Sequence, residues 1–156
     1  MTPAINAAKK AQIAHTVHEY QHDVASESYG LEAAEKLNLD PRQVFKTLVV
    51  SVDGSSLVVA VLPVSAMLSM KLIAKAVGGK KAVMAEKAAV QRSSGYVLGG
   101  ISPLGQKKPL TTVIDVTAQS FDTVFVSAGR RGLEIELAPG ALANLTRGQF
   151  ADVQQP

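Results

Sequence analysis

The sequence predicts one α+β domain over residues 1–156, a mixed, mainly antiparallel β-sheet flanked by helices. Three observations lead there. Strand-like apolar runs outnumber helical periodicities along the chain. Several neighbouring runs are joined by hairpin-length turns rather than by helical crossovers. The length of 156 residues and the 47% hydrophobic content fit one compact core.

Thr2-Pro3 reads as an N-cap and first helical residue, and Ile5, Ala8, Ala11, Ile13 and Val17 carry an apolar stripe over the next turns. Thr16 to His22 reads as extended, with Val17 on one face and Tyr20 on the other. A short helix is expected over Leu31 to Leu37, and Asp40-Pro41-Arg42-Gln43 has the cap, proline and glutamine of another helical start. The β-branched runs Phe45 to Val52 and Leu57 to Leu62 flank Asp53-Gly54-Ser55-Ser56, the strongest hairpin signal in the chain.

Ser65 is placed to cap a helix through Met70, Leu72, Ile73, Ala76 and Val77 that stops at Gly78-Gly79, followed by a short strand over Ala82 to Met84. Gly95 to Gly105 holds four glycines and a proline, too many breakers for a regular element, and is predicted as a shaped loop. Strands are expected at Thr112 to Val116, Thr123 to Val126 and Leu133 to Leu137, with Gly129-Arg130-Arg131-Gly132 as the turn between the last two. A helix near Pro139 to Leu145 follows.

Composition narrows the function. The absence of cysteine excludes disulfides, thiolate metal sites and a cysteine nucleophile, and fits a reducing compartment. With no Trp, three Tyr and four Phe, a broad base-stacking surface is not expected. The net charge is only +3, yet four dibasic pairs, Lys9-Lys10, Lys80-Lys81, Lys107-Lys108 and Arg130-Arg131, hold half of the sixteen Lys and Arg. The first residues lack the pattern of a signal peptide, and the longest apolar stretch, Leu57 to Val64, is too short to span a membrane. The expectation is a cytoplasmic protein with no membrane partner.

His18-Glu19-Tyr20-Gln21-His22 matches H-E-x-x-H, the zinc-binding pattern of metalloproteases, but that chemistry needs a helix. In a strand, at about 3.3 Å per residue, the two histidines stand too far apart for one metal. No metal and no cofactor are therefore assigned. Gly78-Gly79-Lys80-Lys81 lacks the first glycine and the Ser or Thr of a phosphate loop, and reads as a helix end with exposed lysines. No Ser-His-Asp arrangement is visible, because all three histidines precede residue 23.

Lys46 opens an apolar strand, where a lysine either snorkels to water at an edge or has a purpose. Gly99-Gly100 before Ser102-Pro103 is either a plain glycine turn or a loop that presents N–H groups to an anion. Ser127 to Gly132, with Arg130 and Arg131, is either a solvated turn or a phosphate contact.

Three segments together decide more than each alone: Val44-Phe45-Lys46-Thr47-Leu48-Val49, the loop Gly95 to Gly105, and Val126-Ser127-Ala128-Gly129-Arg130-Arg131-Gly132-Leu133. With the opening Met1-Thr2-Pro3-Ala4 and the His22-Asp23 after Tyr20, they resemble the YbaK/EbsC family, related to the editing domain of bacterial prolyl-tRNA synthetases, over essentially the whole chain. The resemblance implies a partly barrel-like sheet and an aminoacyl-tRNA deacylase that acts in trans on mischarged tRNA, with Cys-tRNA(Pro) as substrate.

It also implies Lys46 as the essential catalytic residue, set against the terminal phosphate or the ester carbonyl, with Gly99 and Gly100 holding that carbonyl. Tyr20, Ser102, Pro103, Ser127, Ala128 and Gly129 would line the same substrate pocket. The implied partners are the 3'-terminal aminoacyl-adenosine of tRNA and prolyl-tRNA synthetase in a transient complex. Catalysis would use the substrate's own thiol, so a cysteine-free enzyme lacks nothing. The alternatives are a deacylase for alanine or another amino acid, and a non-catalytic module that binds the tRNA 3' end.

Overall fold

A computed structural model describes residues 1–26 and 29–156. Thr2 caps helix α1 (Pro3–Lys10), its hydroxyl accepting from the Ile5 amide. The expected stripe stops early, since Ala11 caps the helix and Gln12 takes a φ of 56°, so Ile13 and Val17 fall outside it. Strand β1 (His15–Glu19) is shorter than the expected Thr16 to His22, and α2 (Tyr29–Lys36) follows. Asp40-Pro41 makes a turn instead of a helix: the Asp40 carboxylate accepts from the Arg42 amide and guanidinium, giving the chain a local alternative to a helical turn.

The hairpin forms as expected from β2 (Phe45–Val52) and β3 (Ser56–Pro63). Helix α3 (Met70–Ala76) is capped by Ser69, not by Ser65, with Ser69 Oγ accepting from the Leu72 amide at 3.1 Å. After β4 (Ala82–Met84) comes α4 (Lys87–Ser94), which the sequence does not announce because Val90 is its one large apolar residue. The chain then continues through β5 (Thr111–Asp115), a 3₁₀ turn over Val116–Ser120, β6 (Val124–Arg130), β7 (Leu133–Leu137), α5 (Pro139–Thr146) and the three-residue β8 (Gln149–Ala151). Gly129 and Arg130 belong to β6, where a bulge lies between Ser127 and Arg130, so the hairpin tip is only Arg131-Gly132.

Two open sheets result. One is antiparallel, in the order β1-β7-β6, and the other is mixed, in the order β4-β2-β3-β5-β8, with β5 parallel to both β3 and β8. A bridge between Val44 and Phe125 joins them at the start of β2, without closing a barrel. The central hairpin is apolar on both faces because it separates two cores. Val49, Val59 and Val61 pack with α1 and the three-stranded sheet, while Val50, Val58, Ala60 and Leu62 pack with Ile73 and Ala74 of α3.

Candidate functional site

β3 accompanies β2 over its whole length, but the partners on β2's other edge change. Val44 bridges Phe125 next to the antiparallel sheet, and β4 takes over only from Val50. In the gap between them, a cleft of about 480 Å³ opens beside residues 45–48. Tyr20, Lys46, Gly99 and Ser127 line it, together with Thr47, Arg130, Arg131 and Glu134. Two larger surface clefts, of about 640 and 660 Å³, gather none of the site residues that the resemblance implies.

Lys46 is the second residue of β2 and its Nζ donates to the Ala66 carbonyl at 2.6 Å. Burial pulls its pKa below the ordinary lysine value, so the ammonium is a partly desolvated cation. Next to it, Thr47 Oγ1 is buried with no hydrogen-bond partner among the described residues. Buried polar atoms are rarely left so, and this one lies at a cleft wall. Tyr20 holds its place through its amide, which donates to the Gly132 carbonyl at 2.9 Å, and burial raises its hydroxyl pKa.

Glu134 of β7 closes the other side of the cleft. It is only 5% exposed, no hydrogen bond offsets its burial among the described residues, and burial pushes its pKa up to about 8. Its signal in the sequence is a glutamate between Leu133 and Ile135 in an apolar strand, which is not among the expected site residues. Arg131, at the hairpin tip, lies over Gly99: a Cβ on Gly99 would sit 2.4 Å from Arg131 Nε, and Gly99 has a φ of +87°.

The glycine loop is only partly what the resemblance implies. The Gly100 amide donates to the Val97 carbonyl at 3.1 Å, closing a turn, so it is engaged within the loop. A Cβ on Gly100 would sit 2.8 Å from Arg130 Cα, which makes this glycine a packing requirement of the loop against the β6–β7 hairpin. Ser102 is fully buried, its hydroxyl accepting from the Leu104 amide at 3.2 Å, and it and Pro103 stand behind the loop and not on the cleft wall. Ala128 is also fully buried, its carbonyl taken by the Thr2 hydroxyl, and Gly129, with a φ of +112°, packs on Tyr96 and Thr2. The structure thus gathers Tyr20, Lys46, Gly99 and Ser127 in one cleft, and leaves Gly100, Ser102, Pro103, Ala128 and Gly129 as its framework.

The H-E-x-x-H segment is extended, and its histidines serve different carboxylates. His18 Nε2 bonds Glu136 at 2.9 Å and His22 Nδ1 bonds Glu32 at 2.6 Å.

The profile of the aminoacyl-tRNA editing domain matches residues 27–145, more than half of the chain. The chain belongs to the aminoacyl-tRNA editing domain family. Within it, the chain is 40% identical over 136 residues to the Enterococcus faecalis protein named "Putative Cys-tRNA(Pro)/Cys-tRNA(Cys) deacylase EbsC", covering 86% of this chain and 83% of that one. It is 28% identical over 115 residues to the Bacillus subtilis protein YwhH, covering 74% and 73%. A solved structure described as "a putative trans-editing enzyme for prolyl tRNA synthetase" superposes with a TM-score of 0.84 at 22% identity, over 99% of this chain and 96% of that one, which places this editing domain in the same fold. Among the described residues, no helix is long and apolar enough to cross a membrane.

Proposed function

We propose that this editing domain hydrolyses the ester linking a wrongly attached amino acid to the 3'-terminal adenosine of tRNA, and that its substrate is Cys-tRNA(Pro). Lys46 carries the proposal: a partly desolvated ammonium on β2, beside a Thr47 hydroxyl without a partner among the described residues, facing a cleft with room for an aminoacyl-adenosine. A cation without its full hydration shell gains most from negative charge that develops beside it, as on an ester oxygen under attack. The family membership and the name of the Enterococcus faecalis relative support the same chemistry.

In this scheme the substrate cysteine supplies the nucleophile. Its thiol gives up its proton, the sulfur bonds to the ester carbonyl carbon, and Lys46 stabilises the oxyanion. The bond from that carbon to the ribose oxygen then breaks, and the oxygen leaves with a proton as the free tRNA hydroxyl. Water opens the cyclic thioester to free cysteine. The protein's part is to hold the thiol near the carbonyl and polarise it, which is where most of the rate is gained. Alanine and proline lack the thiol and are spared.

The direct test is release of labelled amino acid from Cys-tRNA(Pro) and Ala-tRNA(Pro) by the wild type and by Lys46→Ala, with folding checked by circular dichroism. Cleavage of the cysteinyl ester alone, lost in Lys46→Ala, supports both the substrate and the role of Lys46. Turnover of the alanyl ester at the cysteinyl rate removes thiol assistance, and cleavage of neither ester removes the enzyme. We also propose that a transient complex with prolyl-tRNA synthetase selects the tRNA, since a net charge of +3 gives little grip on a polyanion. Identical tRNA preference with and without the synthetase overturns that part.

A further inference from the structure

Resting on the reading above that the cleft accepts a tRNA 3' end, we propose that Arg131, aligned by a Glu32–His22 pair, is the anchor for the phosphate of the terminal nucleotide, which leaves Lys46 to the ester carbonyl.

A chain of side chains that the chemistry at Lys46 does not use runs from α2 to the cleft. Glu32 of α2 is 5% exposed, and its two carboxylate oxygens are both engaged: Oε1 with His22 Nδ1 at 2.6 Å and Oε2 with the Asp23 amide at 2.8 Å. His22 Nε2 meets Arg131 Nη1 at 3.1 Å. A guanidinium only donates, so Nε2 accepts and the ring proton is on Nδ1, where it is donated to Glu32. Among the described residues, these two neighbours fix the imidazole in one tautomer and one orientation. Burial alone would raise the Glu32 pKa, but the hydrogen bonds from His22 and the Asp23 amide outweigh it and hold the carboxylate ionised.

Such an arrangement does to an arginine what an outer carboxylate does to a metal-bound histidine: it fixes where the functional group points. Arg131 sits at the two-residue tip of the β6–β7 hairpin, half-buried, where a long side chain without support would sample many rotamers. Here it is drawn over Gly99 and onto the cleft wall. Gly99 matters for that reason, because any side chain would displace the guanidinium. A guanidinium that is oriented beforehand, with a fork of N–H groups, suits a phosphodiester better than a point cation does. Arg130 also lines the cleft but is exposed and, among the described residues, has no such support.

The test measures binding of two probes, adenosine and the dinucleotide CpA, which adds the phosphate that precedes the terminal adenosine. Isothermal titration needs no catalysis, so its outcome is separate from whether the protein hydrolyses Cys-tRNA(Pro). Wild type is expected to prefer CpA, and Arg131→Ala is expected to reduce that preference roughly tenfold to a hundredfold, the range for a charge-assisted pair. Arg131→Lys should recover part of the preference. His22→Ala should lower it through misalignment, His22→Gln, which keeps one donor and one acceptor, should restore part, and the double variant should be no worse than Arg131→Ala alone. Lys80→Ala, remote from the cleft, controls for the loss of one positive charge. Equal affinity of the wild type for the two probes overturns the inference. So does a preference for CpA that survives Arg131→Ala, or His22 and Arg131 effects that simply add.

Discussion

Glu134 and Glu136 stand two residues apart on the same strand, yet they occupy opposite chemical worlds. Glu136 is held by the Thr123 hydroxyl at 2.6 Å and by His18 Nε2 at 2.9 Å, and its pKa is lowered, first by the Thr123 bond, against burial, with the His18 bond adding to it. Glu134 has burial and, among the described residues, no hydrogen bond, and its pKa rises to about 8. Glu136 lies where β6 and β1 flank β7 in regular register, and Glu134 where the β6 bulge begins and the cleft opens. The Glu136 end of β7 satisfies its polar groups. At the cleft, Glu134 of β7 and Thr47 and Lys46 of β2 are, among the described residues, short of partners or of solvent, as groups at functional sites often are.

The largest effect expected from this contrast is catalytic. Lys46→Ala should lower deacylation by about 10²-fold or more, the scale of one removed oxyanion contact. Glu136→Gln, at the satisfied end, should leave the rate within a few-fold. A comparable loss of rate in both variants would mean that the two ends are one mechanical unit.

The second effect is on stability against pH. Glu134 keeps its proton in the folded state up to about pH 8, whereas in the unfolded chain it ionises near 4.5. Below that lower value both states hold the proton and the group contributes nothing. Between the two values only the unfolded state has released it, so stability falls as pH rises, by on the order of a few kcal/mol in total. Glu134→Gln should therefore melt higher than the wild type at pH 9 and match it near pH 4. A wild-type melting temperature that climbs from pH 5 to 8, with no gain in the variant, would show that Glu134 is ionised in the fold.

How much of this was legible beforehand follows the same division. The hairpin at Asp53-Gly54 and its two apolar strands are readable because turn chemistry and β-branched runs are local signals. Lys46 stood out as a charge in an apolar strand, and the resemblance gave it a role. Helix α4 escaped because a single large apolar residue makes no stripe, and Ser65 was mistaken for Ser69 because both are serines before the same apolar run. The cleft itself was not legible, since it exists where β6 and β4 fail to meet along β2. That gap also explains why Gly99 lines the cleft while Gly100, its neighbour in sequence, packs behind it.

Glu136 offers the third measurement. Its carboxylate is ionised more readily in the fold than in the unfolded chain, so its contribution is complete above pH 4.5 and is lost as pH falls through the lowered folded value. Glu136→Gln should cost about 1–2 kcal/mol at pH 7 in urea unfolding and should blunt the acid limb of the stability curve. An unchanged acid limb would assign acid sensitivity to other carboxylates, such as the buried Glu32.

The smallest effect is the most pointed. Thr47 Oγ1 is buried and has no partner among the described residues, so Thr47→Val, nearly the same in shape, removes a desolvated polar atom that no hydrogen bond there offsets. Stability should hold or rise by up to about 1 kcal/mol. If the hydroxyl is kept to bond the substrate, KM for the cysteinyl ester should rise several-fold in the same variant, with kcat little changed. A variant that is more stable and binds less well would show that the cleft wall gives up stability for recognition. One that is less stable would instead mean that Thr47 has a partner in the folded protein, and the contrast with Glu136 would narrow to Glu134 and Lys46.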